Sequence, residues 1–114
     1  MPIVVKAVEQ DEYDLWIKEK QAGAIALAEL TEKDWTAAEL VERGESLYIK
    51  NCVACHGPNG AGVTGIFPAL AGSDIVLNNK TRQIEILMEG VQGAAMQSYA
   101  EQLAEVDMAA VITY

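Results

Sequence analysis

The chain has 114 residues, with 17 acidic against 8 basic side chains and a formal net charge of -9. That length makes one small domain whose core is marginal without help, and that charge excludes the phosphate backbone of nucleic acid as a partner. Two cysteines are too few for a disulfide framework, and no stretch has the make-up of a signal peptide or the length to cross a bilayer.

Residues 1–8, Met-Pro-Ile-Val-Val-Lys-Ala-Val, are β-branched and read as a strand, with Pro2 tolerated at its start. A lone strand has nothing to pair with in an otherwise helical chain, so it reads as the last strand of something preceding it. Residues 9–12 form an acidic turn and helix start, and Tyr13, Trp16, Ile17 and Lys20 fall at helical spacing. A helix is predicted over 12–30, weakened around Gly23, with a break over 31–35. Thr36 followed three residues later by Glu39 is a capping box. It opens a helix whose apolar positions Leu40, Leu47 and Ile49 lead into the next segment. Gly44 and Tyr48 lie four apart on it, and the missing side chain at Gly44 lets another helix cross closely, with Tyr48 beside the crossing.

Residues 51–56 read Asn-Cys-Val-Ala-Cys-His and hold both cysteines and the one histidine of the chain. Two thiols three positions apart can each add to one vinyl group of a porphyrin, and the next residue places an imidazole beneath its iron. Cys52 and Cys55 are therefore predicted as thioether anchors of one covalent haem c, and His56 as the proximal ligand. A thioredoxin-like pair would need a strand-helix-strand surround and leaves His56 without a task. A structural zinc site needs four ligands and would have to borrow a carboxylate. Apolar residues make up 51% of the chain but aromatics only 6%, and a buried porphyrin would explain how so alanine-rich a chain packs.

Residues 57–65 are a glycine-rich loop suited to folding tightly over a flat ring; no Gly-Lys-Ser/Thr ending marks it as a phosphate site. Pro68, in the apolar segment 66–70, has a free carbonyl to accept from the His56 ring nitrogen that does not bind iron. Ser73 or Asp74 caps a short segment. A helix over 81–89 turns Ile84, Leu87 and Met88 inward and stops at Gly90. A last helix spans 103–114 with Val106, Ala110, Val111 and Tyr114 inward. Met88 and Met108 sit in helical patterns as core gap-fillers. Met96 sits in a loop of small residues, Gly93, Ala94 and Ala95, and is the predicted second axial ligand. Such a His/Met pair leaves no open position and makes an electron-transfer site. The apolar rim at Val53, Ala54 and Ala95 is the expected exposed haem edge. Arg82 or Lys80 beside a propionate is weighed against a solvated helix start, and Trp16 and Trp35 against ordinary packing.

With these residues placed, 36–114 resembles a class I cytochrome c. The match runs through Gly44 and Tyr48, then Cys52, Cys55 and His56, then Pro68, then Met96, with Tyr114 as the aromatic partner where first and last helices cross. The resemblance implies a small all-α cytochrome c fold over 36–114, with residues 1–35 an N-terminal strand and linker helix left from a preceding domain. More narrowly, residues 1–5, 13–20, 91–96 and 109–114 resemble the carboxy-terminal haem domain of bacterial cytochrome c oxidase subunit II. That implies a soluble domain of a membrane-anchored subunit on the periplasmic side of the inner membrane. It would receive electrons from a donor protein, a soluble cytochrome c or an upstream complex, and pass them to a dinuclear copper centre among the other oxidase subunits. This piece itself would bind no copper and span no membrane. The alternative is a free periplasmic carrier. An acidic surface suits a basic or dipolar partner in either case. Ala104 stands where such sequences often carry a capping Ser or Thr, so the start of the last helix is expected to fray.

Overall fold

A computed structural model describes residues 3–114 of the chain. The chain divides between Lys33 and Asp34 into two compact units. The first holds one long helix, α1 (Gln10–Glu32), rich in alanine and straight-chain residues that lose little rotamer freedom in a helix. Asp11 and Glu12 in its first turn complement the helix dipole. The helix runs straight through Gly23, and two residues further at each end than its periodicity predicts. No residue of α1 is fully buried.

The expected strand at the start does not form. Met1 and Pro2 lie outside the described residues, and residues 3–9 have no regular structure, with Ile3 93% exposed. β-branched residues favour a pleated surface, but a strand exists only where another backbone takes up its N–H and C=O groups. Among the described residues the one β-type contact is an isolated bridge between Val63 and Phe67.

The second unit is built from α2 (Ala37–Asn51), α3 (Val53–His56), α4 (Asp74–Asn78), α5 (Lys80–Glu89) and α6 (Glu105–Thr113). The Thr36 hydroxyl accepts from the Glu39 N–H, and the Glu39 carboxylate accepts from the Thr36 N–H at 2.9 Å, so the capping box forms in both directions. Helices α2 and α6 cross at Gly44. A Cβ placed there would meet the Ala110 carbonyl oxygen, and would lie 2.7 Å from its carbon and 2.8 Å from Tyr114 Cβ. Tyr48 stacks on Tyr114 at a centroid distance of 5.6 Å, a tilted aromatic pair that caps the crossing. Tyr114 is nevertheless half exposed, not the inward residue its spacing implied.

A second contact ties the same two helices. Arg43 donates to Asp107 through Nε at 2.6 Å and Nη2 at 2.5 Å, with its guanidinium carbon 5.4 Å from the Trp35 ring centroid. No local pattern in the sequence links this trio, whose members are 8 and 64 positions apart. The α6 N-cap, Ala104, offers no side-chain bond as expected, and the Asp107 carboxylate in the first turn supplies negative charge there.

The small core is Leu87, Leu103 and Met108, with Leu47, Met96, Tyr99 and Ile112 packed against it. On α5 the inward face is Gln83, Ile86 and Leu87; Ile84 and Met88 are each 43% exposed, which corrects two of the three inward residues expected there. Apolar spacing alone turns the helix to a different face, whereas the inner face includes the amide of Gln83. Met88 is thus no gap-filler, while Met108 is buried.

Candidate functional site

The second unit encloses a cavity of about 710 Å³, within the size range of small-molecule and cofactor sites. Its lining includes Cys52, Cys55 and His56 from the end of α2 and from α3, residues 66–73 from the loop, Ile86 and Leu87 from α5, and Met96 from the loop after it. Among the described residues no Asp, Glu, Lys or Arg lines it. No large side chain is fully buried among them either. Beside the small core of Leu87, Leu103 and Met108, apolar residues of the loops and of α5 face a central space, which is what a large flat apolar group would fill.

Local chain geometry brings the cysteine-histidine run to that space. Cys52 closes α2, its N–H donating to the Tyr48 carbonyl at 2.8 Å, and the chain re-enters a helical turn at Val53. One turn of helix puts Cys55 and His56 beside Cys52 on the cavity side while Ala54 points to solvent. Burial, and after it the neighbouring Cys55 thiol, hold the Cys52 thiol above its ordinary value. A redox-active pair needs the opposite shift.

His56 is buried, and its Nδ1 lies 2.9 Å from the Pro68 carbonyl oxygen. A carbonyl can only accept, so Nδ1 carries the proton and the lone pair of Nε2 is left for a metal. The loop is shaped for this contact. Gly62 donates its N–H to the His56 carbonyl at 2.8 Å, and with φ of 65° it abuts Pro68 so closely that a Cβ would lie 2.7 Å from the Pro68 carbonyl carbon and oxygen. The Val63 N–H to the Phe67 carbonyl at 2.8 Å closes the turn that carries Pro68 back over His56. Glycine-rich character was legible in the sequence, but not that Gly62 is the residue against which Pro68 rests.

Tyr48 donates its hydroxyl to the Gly57 carbonyl at 2.7 Å, and burial, followed by the Cys52 and Tyr114 groups nearby, pushes its phenol up. The Tyr99 hydroxyl reaches the Asn51 carbonyl at 3.2 Å. Both tyrosines line the cavity and brace the ends of its walls. Of the three expected rim residues, only Ala95 lines the cavity; Val53 and Ala54 do not. Arg82 is exposed and pairs with Glu85 at 3.0 Å, the solvated helix start and not a cavity cation. Met88 and Met108 do not line the cavity, whereas Met96 does. The residues present thus suit a porphyrin: two thiols and an oriented imidazole from one segment, a thioether from another, and an uncharged wall between them.

Residues 38–114 match the family described as cytochrome c oxidase, cbb3-type, subunit III. The cytochrome c subunit of the alcohol dehydrogenase (quinone) of Gluconacetobacter polyoxogenes is 30% identical over 81 residues, covering 62% of this chain and 17% of that protein. The corresponding subunit of Komagataeibacter europaeus is similar to the same degree, and that of Gluconobacter oxydans (strain 621H) is 27% identical over 81 residues. The chain spans less than a fifth of the length of these relatives.

Proposed function

The chain belongs to the cbb3-type subunit III family, a cytochrome c domain that binds haem c covalently, and from that premise we propose that it is a one-electron carrier working inside a larger redox assembly. Cys52 and Cys55 would anchor the haem through thioethers, His56 and Met96 would hold its iron, and Pro68 is the acceptor that orients the imidazole. The observation that carries this reading is the convergence of these five residues on one cavity, with the His56 ring held by Pro68 at 2.9 Å.

A haem c held there supplies an iron that gains and loses one electron. The chain does the rest. Pro68 fixes the tautomer of His56 and strengthens it as a donor. His56 and Met96 together leave no position for a substrate, so the site carries electrons without transforming a molecule. Its uncharged lining disfavours the extra positive charge of the oxidised state and raises the reduction potential. In the ferric protein a sulfur-to-iron charge-transfer band is expected, lost in Met96→Ala; survival of the band in that variant would transfer the role to Met88 or Met108.

The partners are other redox proteins. The relatives are named as cytochrome c subunits of a quinone alcohol dehydrogenase, which supports a domain that takes electrons from an upstream complex or a soluble cytochrome c. The narrower parent, an oxidase subunit II delivering to a dinuclear copper centre, rests on the resemblance of residues 1–5, 13–20, 91–96 and 109–114; the family description and the relatives name other subunits. Covalent haem is attached outside the bacterial cytoplasm, which supports a position for this domain on the periplasmic side of the inner membrane. Among the described residues no helix is long and apolar enough to cross it. A haem-stained gel of native membranes and soluble extract, probed with antibody to this domain, tests the assembly. A membrane band far heavier than the chain supports it, and a soluble band near the chain's own mass sinks it in favour of a free carrier.

A further inference from the structure

The segment that carries Met96 is clasped to the last turn of α5. Two carbonyls that the helix itself leaves without partners are taken up by it: Tyr99 N–H donates to Leu87 at 2.8 Å, and the Ser98 hydroxyl to Met88 at 2.6 Å. From the helix side, Val91 N–H donates to the Met96 carbonyl at 2.9 Å. Between these bonds Gly90 leaves the helix with φ of 74°, and a Cβ there would lie 2.8 Å from the Met96 oxygen, 2.8 Å from the Ser98 nitrogen and 2.9 Å from the Gln97 carbonyl carbon. The three nearest atoms it would meet are all backbone of the methionine segment. Gly90 is therefore more than a helix stop, because it is the space into which that backbone is drawn.

We propose that Gly90 and Ser98 are positioning residues for Met96, and that this clasp sets how readily its sulfur gives way to another ligand. The inference rests on Met96 being the axial ligand, as above. A thioether is a neutral and weak donor, so its hold depends on a loop already ordered in the binding geometry. The bonds at Leu87, Met88 and Val91 supply that order from α5, which is itself fixed by Leu87 in the core. A side chain at position 90 lifts the segment, and a missing hydroxyl at 98 loosens one edge of it.

The test is titration of the ferric, haem-loaded protein with imidazole, followed through the sulfur-to-iron band. Gly90→Ala is expected to tighten imidazole binding about tenfold. Ser98→Ala should tighten it about threefold, and Ser98→Thr should restore the original value because the hydroxyl remains. Asp107→Ala is the control: it breaks the pair with Arg43 away from the cavity lining. It should lower thermal stability without changing imidazole affinity. Equal tightening by Asp107→Ala and Gly90→Ala would overturn the proposal, as would an unchanged affinity in Ser98→Ala. Should Gly90→Ala fail to take up haem, the Ser98 pair decides alone. A sulfur-to-iron band missing from the unsubstituted protein is a different result; it removes Met96 as ligand, and the proposal with it.

Discussion

Gly44 and Ala110 meet backbone to backbone, so that the carbonyl of α6 occupies the place where a side chain on α2 would stand. The contact joins the helix that leads into Cys52 to the helix that closes the chain, and Tyr48 and Tyr114 stack beside it. Gly44→Ala should therefore destabilise the haem-loaded protein by about 1–3 kcal/mol through overpacking, against the gain of roughly 1 kcal/mol that Gly→Ala normally brings inside a helix. Gly23→Ala on α1 is the counterpart, since nothing lies within 4 Å of a Cβ there. It should raise helicity or leave stability unchanged. Denaturant midpoints of the two variants check this, and a stabilised Gly44→Ala would refute the close crossing.

The second prediction concerns His56. Because Gly62 abuts the carbonyl that accepts from Nδ1, Gly62→Ala should displace Pro68 and weaken that bond while leaving both ligand side chains in place. A less strongly held N–H makes the imidazole a poorer donor to ferric iron, so the reduction potential should rise. Losing a hydrogen bond worth about 1 kcal/mol corresponds to a rise of about 40 mV for one electron. Potentiometric titration reads it directly, and an unchanged or lowered potential counts against this role for Gly62.

These two contacts show where sequence was informative. The capping box, the Gly44 crossing and the Cys-x-x-Cys-His run are local signals, in which a few neighbouring residues contain the whole physical reason. The strand expected over residues 1–8 failed because β-branched composition says nothing about whether a partner backbone exists. The inward face of α5 was misjudged because Gln83 faces the cavity, where apolar patterning does not look for an amide. The pairing of Arg43 with Asp107 joins residues 64 apart, and no period or motif links them. Likewise Gly90 reads locally as a helix stop, and its contact with Met96 exists only once the loop has folded back.

Arg43 and Asp107 give the third prediction. Their side chains are 29% and 16% exposed, between a surface pair and a buried one. Asp107→Ala should cost about 1–2 kcal/mol, because it leaves Arg43 half-buried without its partner and removes the carboxylate from the first turn of α6. A double-mutant cycle with Arg43→Ala, run at low and high salt, separates the pair from the helix-dipole contribution. A coupling energy near zero at both salt concentrations would show that the contact adds nothing to stability.

The last prediction turns a deficiency into a gain. Ala104 sits at the N-cap of α6 with φ of -66° and ψ of 162°, the extended geometry from which a short hydroxyl reaches back to the first turn. Alanine accepts nothing from the orphan N–H groups there, while the Asp107 and Met108 N–H groups donate to its carbonyl at 2.9 and 3.0 Å. The backbone is thus already arranged for a cap that the side chain does not supply. Ala104→Ser should stabilise the protein by about 0.5–1 kcal/mol and protect the first-turn amides of α6 from hydrogen exchange. Since α6 packs on α2 through Gly44, that protection should extend to the α2 amides near the crossing. Slower exchange in α6 alone would mean that its first turn opens independently of the α2 crossing.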